Sequence, residues 1–405
     1  MSSNGANGTS TRSEMLSDAT KDFSLAVGGP IHSFLVRLGL VEPPVSRVAR
    51  RILAATLLAW LPLFVLTAVN GRLMSGVNVP FLRDVEVQAR FLIVLPLLIA
   101  AEVTVHRGIR LMVFQFVDRQ IITTGLLPKF EGCIESATRL RNSAIVELGL
   151  VAIVIGAGSV WWKEVLALPT DTWYATSPTR GSTILPAGYW YVFVSIPLIQ
   201  FIAIRWYFRI LVWTRLLWQL SRLNLNLVPS HPDACCGLGF LGLIPYVLAP
   251  FLLAHSVLLA GYLADRILYE GAKLTNQPVE IVAMAAFIYL LALGPLCVFA
   301  PHLLRQRHHG LHAYGPLASE LNIGFEKKWM AGQRPRDEAL VGTPDISSLA
   351  DYSTIFSIVK KVRPFPFGRE AIVAVAVMIA LPLLPLTLTM FSLRQLVRAL
   401  LKVLF

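Results

Sequence analysis

The sequence predicts an all-α fold, a polytopic transmembrane helix bundle of about seven spans with a helical cytoplasmic layer. Composition carries the first half of that prediction. Of 405 residues, 55% are hydrophobic and 15% charged, against about a quarter charged in an average soluble chain. The deficit is concentrated in separate apolar runs close to the roughly 20 residues that cross about 30 Å of hydrocarbon. Charge placement carries the second half: a formal net charge of +12 falls mostly in alternate segments between those runs.

Residues 1–22 are rich in Ser, Thr, Asn and Gly. No basic stretch there joins an apolar core, so a disordered start without a cleaved signal is expected, and the first span directs insertion. Ile31, Phe34, Leu35 and Leu38 recur at helical spacing up to Glu42-Pro43-Pro44, which predicts a short interfacial helix and completes a first unit, 1–51. Six spans are expected within 52–300, at 52–69, 91–105, 144–162, 188–204, 240–260 and 281–300. A cytoplasmic segment, 301–370, leads to a seventh span at 371–390 within a last unit, 371–405. The second span is the least apolar. It is bounded by Arg90 and Glu102 and needs either snorkelling by Arg90 or a protein-shielded position. Pro62, Pro96, Pro197, Pro245, Pro250, Pro295, Pro382 and Pro385 fall inside the spans and predict kinked helices.

Of the 36 Lys and Arg, 26 lie in 1–51, 106–143, 205–239 and 301–370, and 10 on the other side. The positive-inside rule therefore places the N-terminus in the cytoplasm, and seven spans put the C-terminus outside. A turn at Pro382 and Pro385 would instead leave the tail, with Arg394, Arg398 and Lys402, at the cytoplasmic face. Because topology accounts for most of the basic excess, nucleic-acid binding loses its main support. Trp161, Trp162, Trp173, Tyr174, Tyr189, Trp190 and Tyr191 bracket the outer loop as an interfacial belt should. On the inner side the fourth span runs on without a breaker to Arg222. Arg205, Arg209, Arg215 and Arg222 fall within roughly a 140° arc, with Trp206 and Trp213 on another face. That basic face suits anionic lipid headgroups or an anionic ligand. In 301–370, Thr343 and Pro344 open a helix that ends near Val362, after a loop at 332–342. The letters show no internal repeat of convincing register.

Gly237-Leu-Gly239-Phe-Leu-Gly242 matches G-x-G-x-x-G, but no strand precedes it and an apolar run follows, so close packing explains it better than dinucleotide binding. Just ahead, Pro229-Ser-His231-Pro232-Asp233 forms a rigid turn. Its His231 and Asp233 would suit proton transfer, metal binding or a partner, or alternatively a helix cap. Cys133, Cys235, Cys236 and Cys297 have neither zinc spacing nor a disulfide framework. Glu102 and His106, one helical turn apart, Glu147 and His255 are ionisable groups at membrane depth. For the first three, pairing with Arg107, Arg141 or the arginine helix is the structural alternative, and for His255 a hydrogen bond inside the bundle. His308, His309 and His312 lack a matching carboxylate cluster. No catalytic residue, metal site or cofactor is assigned, and no nucleophile elbow, Walker A loop or HExxH motif occurs.

Four segments carry a likeness. Gln88-Ala-Arg90-Phe-Leu-Ile-Val-Leu-Pro96 through Glu102, Pro229-Ser-His231-Pro232-Asp233 through Gly237-Leu-Gly239-Phe-Leu241, Asp345-Ile-Ser-Ser-Leu-Ala-Asp351 and Leu383-Leu-Pro385-Leu-Thr-Leu-Thr389 resemble an uncharacterised family of proteobacterial multi-pass inner-membrane proteins. The resemblance covers most of the chain from about residue 50 and implies a bacterial inner-membrane location, with no activity to transfer. Where that family's motif carries Ala-Gly, this chain has Cys235-Cys236, which argues for small-residue packing over a cysteine metal site.

The function expected from these observations is an oligomeric channel or transporter for an anionic solute. A signalling or assembly scaffold, whose basic layer binds a protein or anionic lipid, is the alternative. An enzyme built on His231 and Asp233 comes third. The expected partners are the bilayer, anionic lipids and further copies of the chain.

Overall fold

A computed structural model describes residues 23–25, 28–29, 48–166, 171–176, 183–331 and 344–388, including side chains except those of 157–166. The expected interfacial helix, the Thr343 cap, the loop at 332–342 and the tail beyond 390 lie outside those residues. In chain order the helices are α1 (Val48–Val69), α2 (Val85–Asp118), α3 (Leu127–Arg141), α4 (Ala144–Leu166), α5 (Pro186–Ser221), α6 (Ala249–Tyr269), α7 (Pro278–Trp329), α8 (Pro344–Lys360) and α9 (Arg369–Thr387). Among the described residues, strand pairing is limited to the isolated bridges Val79–Thr172 and Ala175–Ile184. The protein is an all-α polytopic membrane bundle.

Six of these helices, α1, α2, α5, α6, α7 and α9, are long and apolar enough to cross a bilayer. α4 links the two ends of the bundle. Arg141, just before it, donates to the Ser24 carbonyl beside His106, whereas Thr172, beyond it, accepts from Arg72 and pairs with Val79 in the loop between α1 and α2. Its 23 residues rise about 35 Å, so it runs the length of the bundle beside the six long apolar helices. α2 and α6 sit centrally: α6 packs on α2, α7 and α9, while α2 also meets α1 and α5.

The repeat missing from the letters is present in the fold. α1–α2, α4–α5 and α6–α7 are successive hairpins whose second helix is the longer and runs past the apolar zone on the basic side. The second helices of the first two hairpins match in detail. Each has five α-helical residues, five π-helical residues (Arg90–Val94, Tyr191–Ser195) and then a proline, Pro96 or Pro197, at the second position of the next α segment. A proline ring clashes with the carbonyl four residues back, and widening the helix just ahead of it relieves that clash. The third hairpin breaks instead through a 3-10 segment, Gly294–Phe299, holding Pro295.

Two expected span boundaries move. The least apolar candidate, 91–105, is part of a 34-residue helix, half buried, because protein groups rather than lipid meet its charges. The apolar run 240–260 is not one span: Leu238–Leu243 is 3-10 helix, Ile244–Val247 a short turn, and the crossing starts at Ala249. Pro245, Pro250 and the glycines ahead of them break the early part. Trp173 and Tyr191, expected in an interfacial aromatic belt, are buried, the Trp173 indole donating to Asp84 and the Tyr191 hydroxyl accepting from Arg90.

Candidate functional site

Glu102 is the hub of a charged cluster at the basic end of the bundle. One turn into α1, Arg51 reaches its Oε2 at 2.6 Å, and Arg209 of α5 reaches its Oε1 at 3.0 Å. Arg209 is 3% exposed and stacks over Trp206, whose indole N–H donates to the Leu98 carbonyl. One turn away on α5, Arg205 stands 3.8 Å from Glu147 at the start of α4 and donates to the Gly28 carbonyl. The stretch before α1 is built into this cluster. Phe23, Ser24 and Leu25 are buried, Ser24 Oγ lies 2.7 Å from His106 Nδ1, and Arg141 donates to the Ser24 carbonyl. A Cβ on Gly29, where φ is +98°, would collide with Glu147 Oε1, so this approach requires glycine.

Beside the cluster is a cavity of about 260 Å³ between α1, α2 and α5. Its walls are apolar, with Leu58, Ile99, Leu198 and Phe201 among them, and one end carries Arg51, Arg205, Arg209 and Glu102. Three guanidinium groups against one carboxylate make that end cationic in a low-dielectric surround, where charge acts strongly. Arg141, outside the spans, is pushed down to about 10 by burial and then by Arg209. It stays cationic at neutral pH and adds to the same field.

Asp233 serves a different purpose. Its Oδ1 accepts from the backbone N–H groups of Cys235 at 2.8 Å and Gly237 at 3.1 Å, and its Oδ2 from Gly239 at 2.9 Å. Ala234, Cys236 and Gly237 have positive φ, which turns successive N–H groups inward as an anion-binding nest filled by the chain's own carboxylate. Burial alone raises the Asp233 pKa, but these bonds and His231 outweigh it, and the carboxyl is held below its usual range. A Cβ on Gly239 would come 2.9 Å from Asp233, so the second glycine of the G-x-G-x-x-G string is there for this carboxylate. Burial, and then the Asp233 charge, push the Cys235 and Cys236 thiols to about 11 and about 12, far from the thiolate that nucleophilic or metal chemistry uses.

At the opposite end, Asp84 and Asp265 cap α2 together. Asp84 accepts from the Val87 N–H and the Trp173 indole, while Asp265 accepts from the N–H groups of Val85 and Glu86, all at 2.8–2.9 Å. Burial first, then the Asp265 charge, raise Asp84 to about 7. Phe81, Trp173, Tyr174 and Tyr191 pack edge to face here. Arg90 pairs with Glu86 and donates to the Tyr191 hydroxyl at 2.7 Å, joining the two π-helical turns.

The residues singled out from the sequence therefore divide. Glu102, Arg205 and Arg209 share one cavity, with His106 and Glu147 behind it. Asp233 lines a separate cavity with Arg119, and no residue lines both. Arg215 and Arg222 lie exposed on the outside of α5, Arg222 stacked on Trp218. His255 is a core residue between the Tyr207 hydroxyl and the Phe251 carbonyl. Sequence reasoning passed over Arg51, which looks like any basic residue ahead of a span, and Asp84 and Asp265, whose partners are remote in sequence. No family model matches the chain, and no curated protein or solved structure matches it either.

Proposed function

We propose that this protein is a multi-pass inner-membrane carrier that takes an anionic solute at the Arg51–Arg205–Arg209 cavity, with its basic side toward the cytoplasm. The observation that carries the reading is the cavity itself, an apolar-walled space with three arginines and one glutamate at its end. Two features favour a carrier over an open channel. The buried aromatic group around Trp173 closes the same helices at the far end, and the paired π-helical turns give α2 and α5 a place to bend. The likeness of residues 231–241 to a proteobacterial inner-membrane family fits this location.

The test is uptake into proteoliposomes across a panel of carboxylates, phosphate, sulfate and halides. Saturable uptake of one anion class is expected, falling about 10- to 100-fold in Arg205→Gln, since a charged hydrogen bond contributes about 1.5–3 kcal/mol. No flux above empty vesicles for any anion defeats the reading.

A second reading, an assembly scaffold, draws on the arm formed by the distal half of α7 and by α8. Leu317, Ile323 and Met330 lie exposed there. If assembly is the role, trimming residues 315–355 abolishes self-association of the purified protein and leaves anion uptake intact.

A further inference from the structure

A second cationic cleft, separate from the arginine cavity, lies where three spans reach the basic side. Two adjoining cavities of about 550 and about 600 Å³ share Arg363, Phe367, Gly368 and Glu370. Around them stand the end of α2 with Arg119, the turn before α6 with Tyr246, and the start of α9 with Arg369. The cleft is thus at the level where helices leave the hydrocarbon.

Four cations line it, Arg119, Lys361, Arg363 and Arg369, against two carboxylates, Asp233 and Glu370. Asp233 is already occupied by three backbone N–H groups, with Arg119 3.7 Å away. Among the described residues, no side-chain hydrogen bond or ion pair holds Lys361, Arg363 or Arg369, and all three are exposed. Arg363 is fixed in place by its backbone, whose N–H donates to the Ala234 carbonyl at 2.8 Å. The other lining is apolar and open: Leu243, Tyr246, Phe365 and Ile372 are 37–52% exposed. A cationic rim over an exposed apolar floor at headgroup level matches an amphiphile, a phosphate at the basic groups and acyl chain on the apolar ones. A folded protein surface would leave that apolar floor facing hydrocarbon.

We infer that this cleft binds the phosphodiester headgroup of an anionic glycerophospholipid, held by Arg363 and Lys361 with Arg369 beside them. The full-length protein is titrated with phosphatidylglycerol or phosphatidylcholine, and bound lipid is counted by native mass spectrometry. Preferential retention of phosphatidylglycerol is expected. Removing one cation near a membrane surface weakens binding roughly fivefold, and a pair roughly thirtyfold. Arg363→Gln with Lys361→Gln should therefore lose about that much, and each single variant about fivefold. The single variants decide the matter if the double variant does not fold. Arg139→Gln with Lys327→Gln removes two exposed charges elsewhere on the same side and should change retention less than twofold. The inference is overturned by unchanged retention in the cleft variants, or by equal loss in the control pair. Displacement of the lipid by millimolar inorganic phosphate also overturns it, assigning the cleft to a soluble anion.

Discussion

α2 meets buried or half-buried carboxylates at both ends, and the two ends handle them in opposite ways. On the basic side Glu102 meets two guanidinium groups that also face a cavity. On the other side Asp84 and Asp265 are directed at backbone N–H groups and an indole within a packed aromatic cap. A carboxylate committed to backbone donors fixes the chain, whereas one that pairs arginines lining a cavity leaves their remaining N–H groups facing that space. Asp233 belongs with the first kind, in keeping with the structural cap that was one of the two readings its turn allowed.

The sharpest way to break this contrast is Glu102→Gln. The amide keeps the shape and removes the charge that Arg51 and Arg209 pair with. Breaking a buried pair in this way costs about 3–5 kcal/mol, and thermal unfolding in detergent should show a large fall in midpoint.

Next in size is pH. Asp84 is raised in the folded protein, so between about 4 and about 7 the native state binds a proton that the unfolded chain releases. Its stabilising contribution is complete below the unfolded pKa and is lost as pH rises through about 7, with a slope of at most about 1.4 kcal/mol per pH unit. Asp84→Asn should flatten the stability profile over that window. A profile that keeps its slope in the variant would place the titration elsewhere.

Asp233 has the opposite sign. Its lowered pKa gives stability that is present above the unfolded value and lost as pH falls through the lower folded one. Asp233→Ala leaves three inward N–H groups unsatisfied and should cost about 2–3 kcal/mol. Anion uptake should survive in the part of the protein that remains folded.

The smallest effect is expected at Arg215 and Arg222. These lie outside the cluster, and replacing both with Gln should change stability by less than about 0.5 kcal/mol and leave uptake unaltered. A large loss of uptake would move the functional arginines from the inner to the outer face of α5.

Much of this contrast was legible in the residue order. Apolar runs and charge asymmetry give the bundle and the alternation of its segments, because both are set by the solvent on either side of a helix. The continuation of the fourth span to Arg222 followed from the absence of a breaker, and α5 ends at Ser221. The pairing of Glu102 and Glu147 with the arginine helix was one of the two readings their depth allowed. What escaped depends on contacts between remote segments. Arg51 has no local mark separating a cluster member from a topological charge, and Asp265 caps a helix start about 180 residues earlier in the chain. The 240–260 run misleads because periodicity does not distinguish a broken entry from a straight span. The hairpin repeat escapes because it resides in helix lengths and proline positions, not in matching letters.

The third hairpin differs from the other two in reach. Beyond its 3-10 segment, α7 continues for 30 residues, Ala300–Trp329, about 45 Å of rod at 1.5 Å per residue. Its tip is clasped to α8 by Lys328 and Trp329 on Asp345, and its base is wedged against α5. Such a rod has the geometry of a lever: a tilt of about 5° at the 3-10 segment would displace the tip by about 4 Å, so a small shift among packed spans is magnified at its far end.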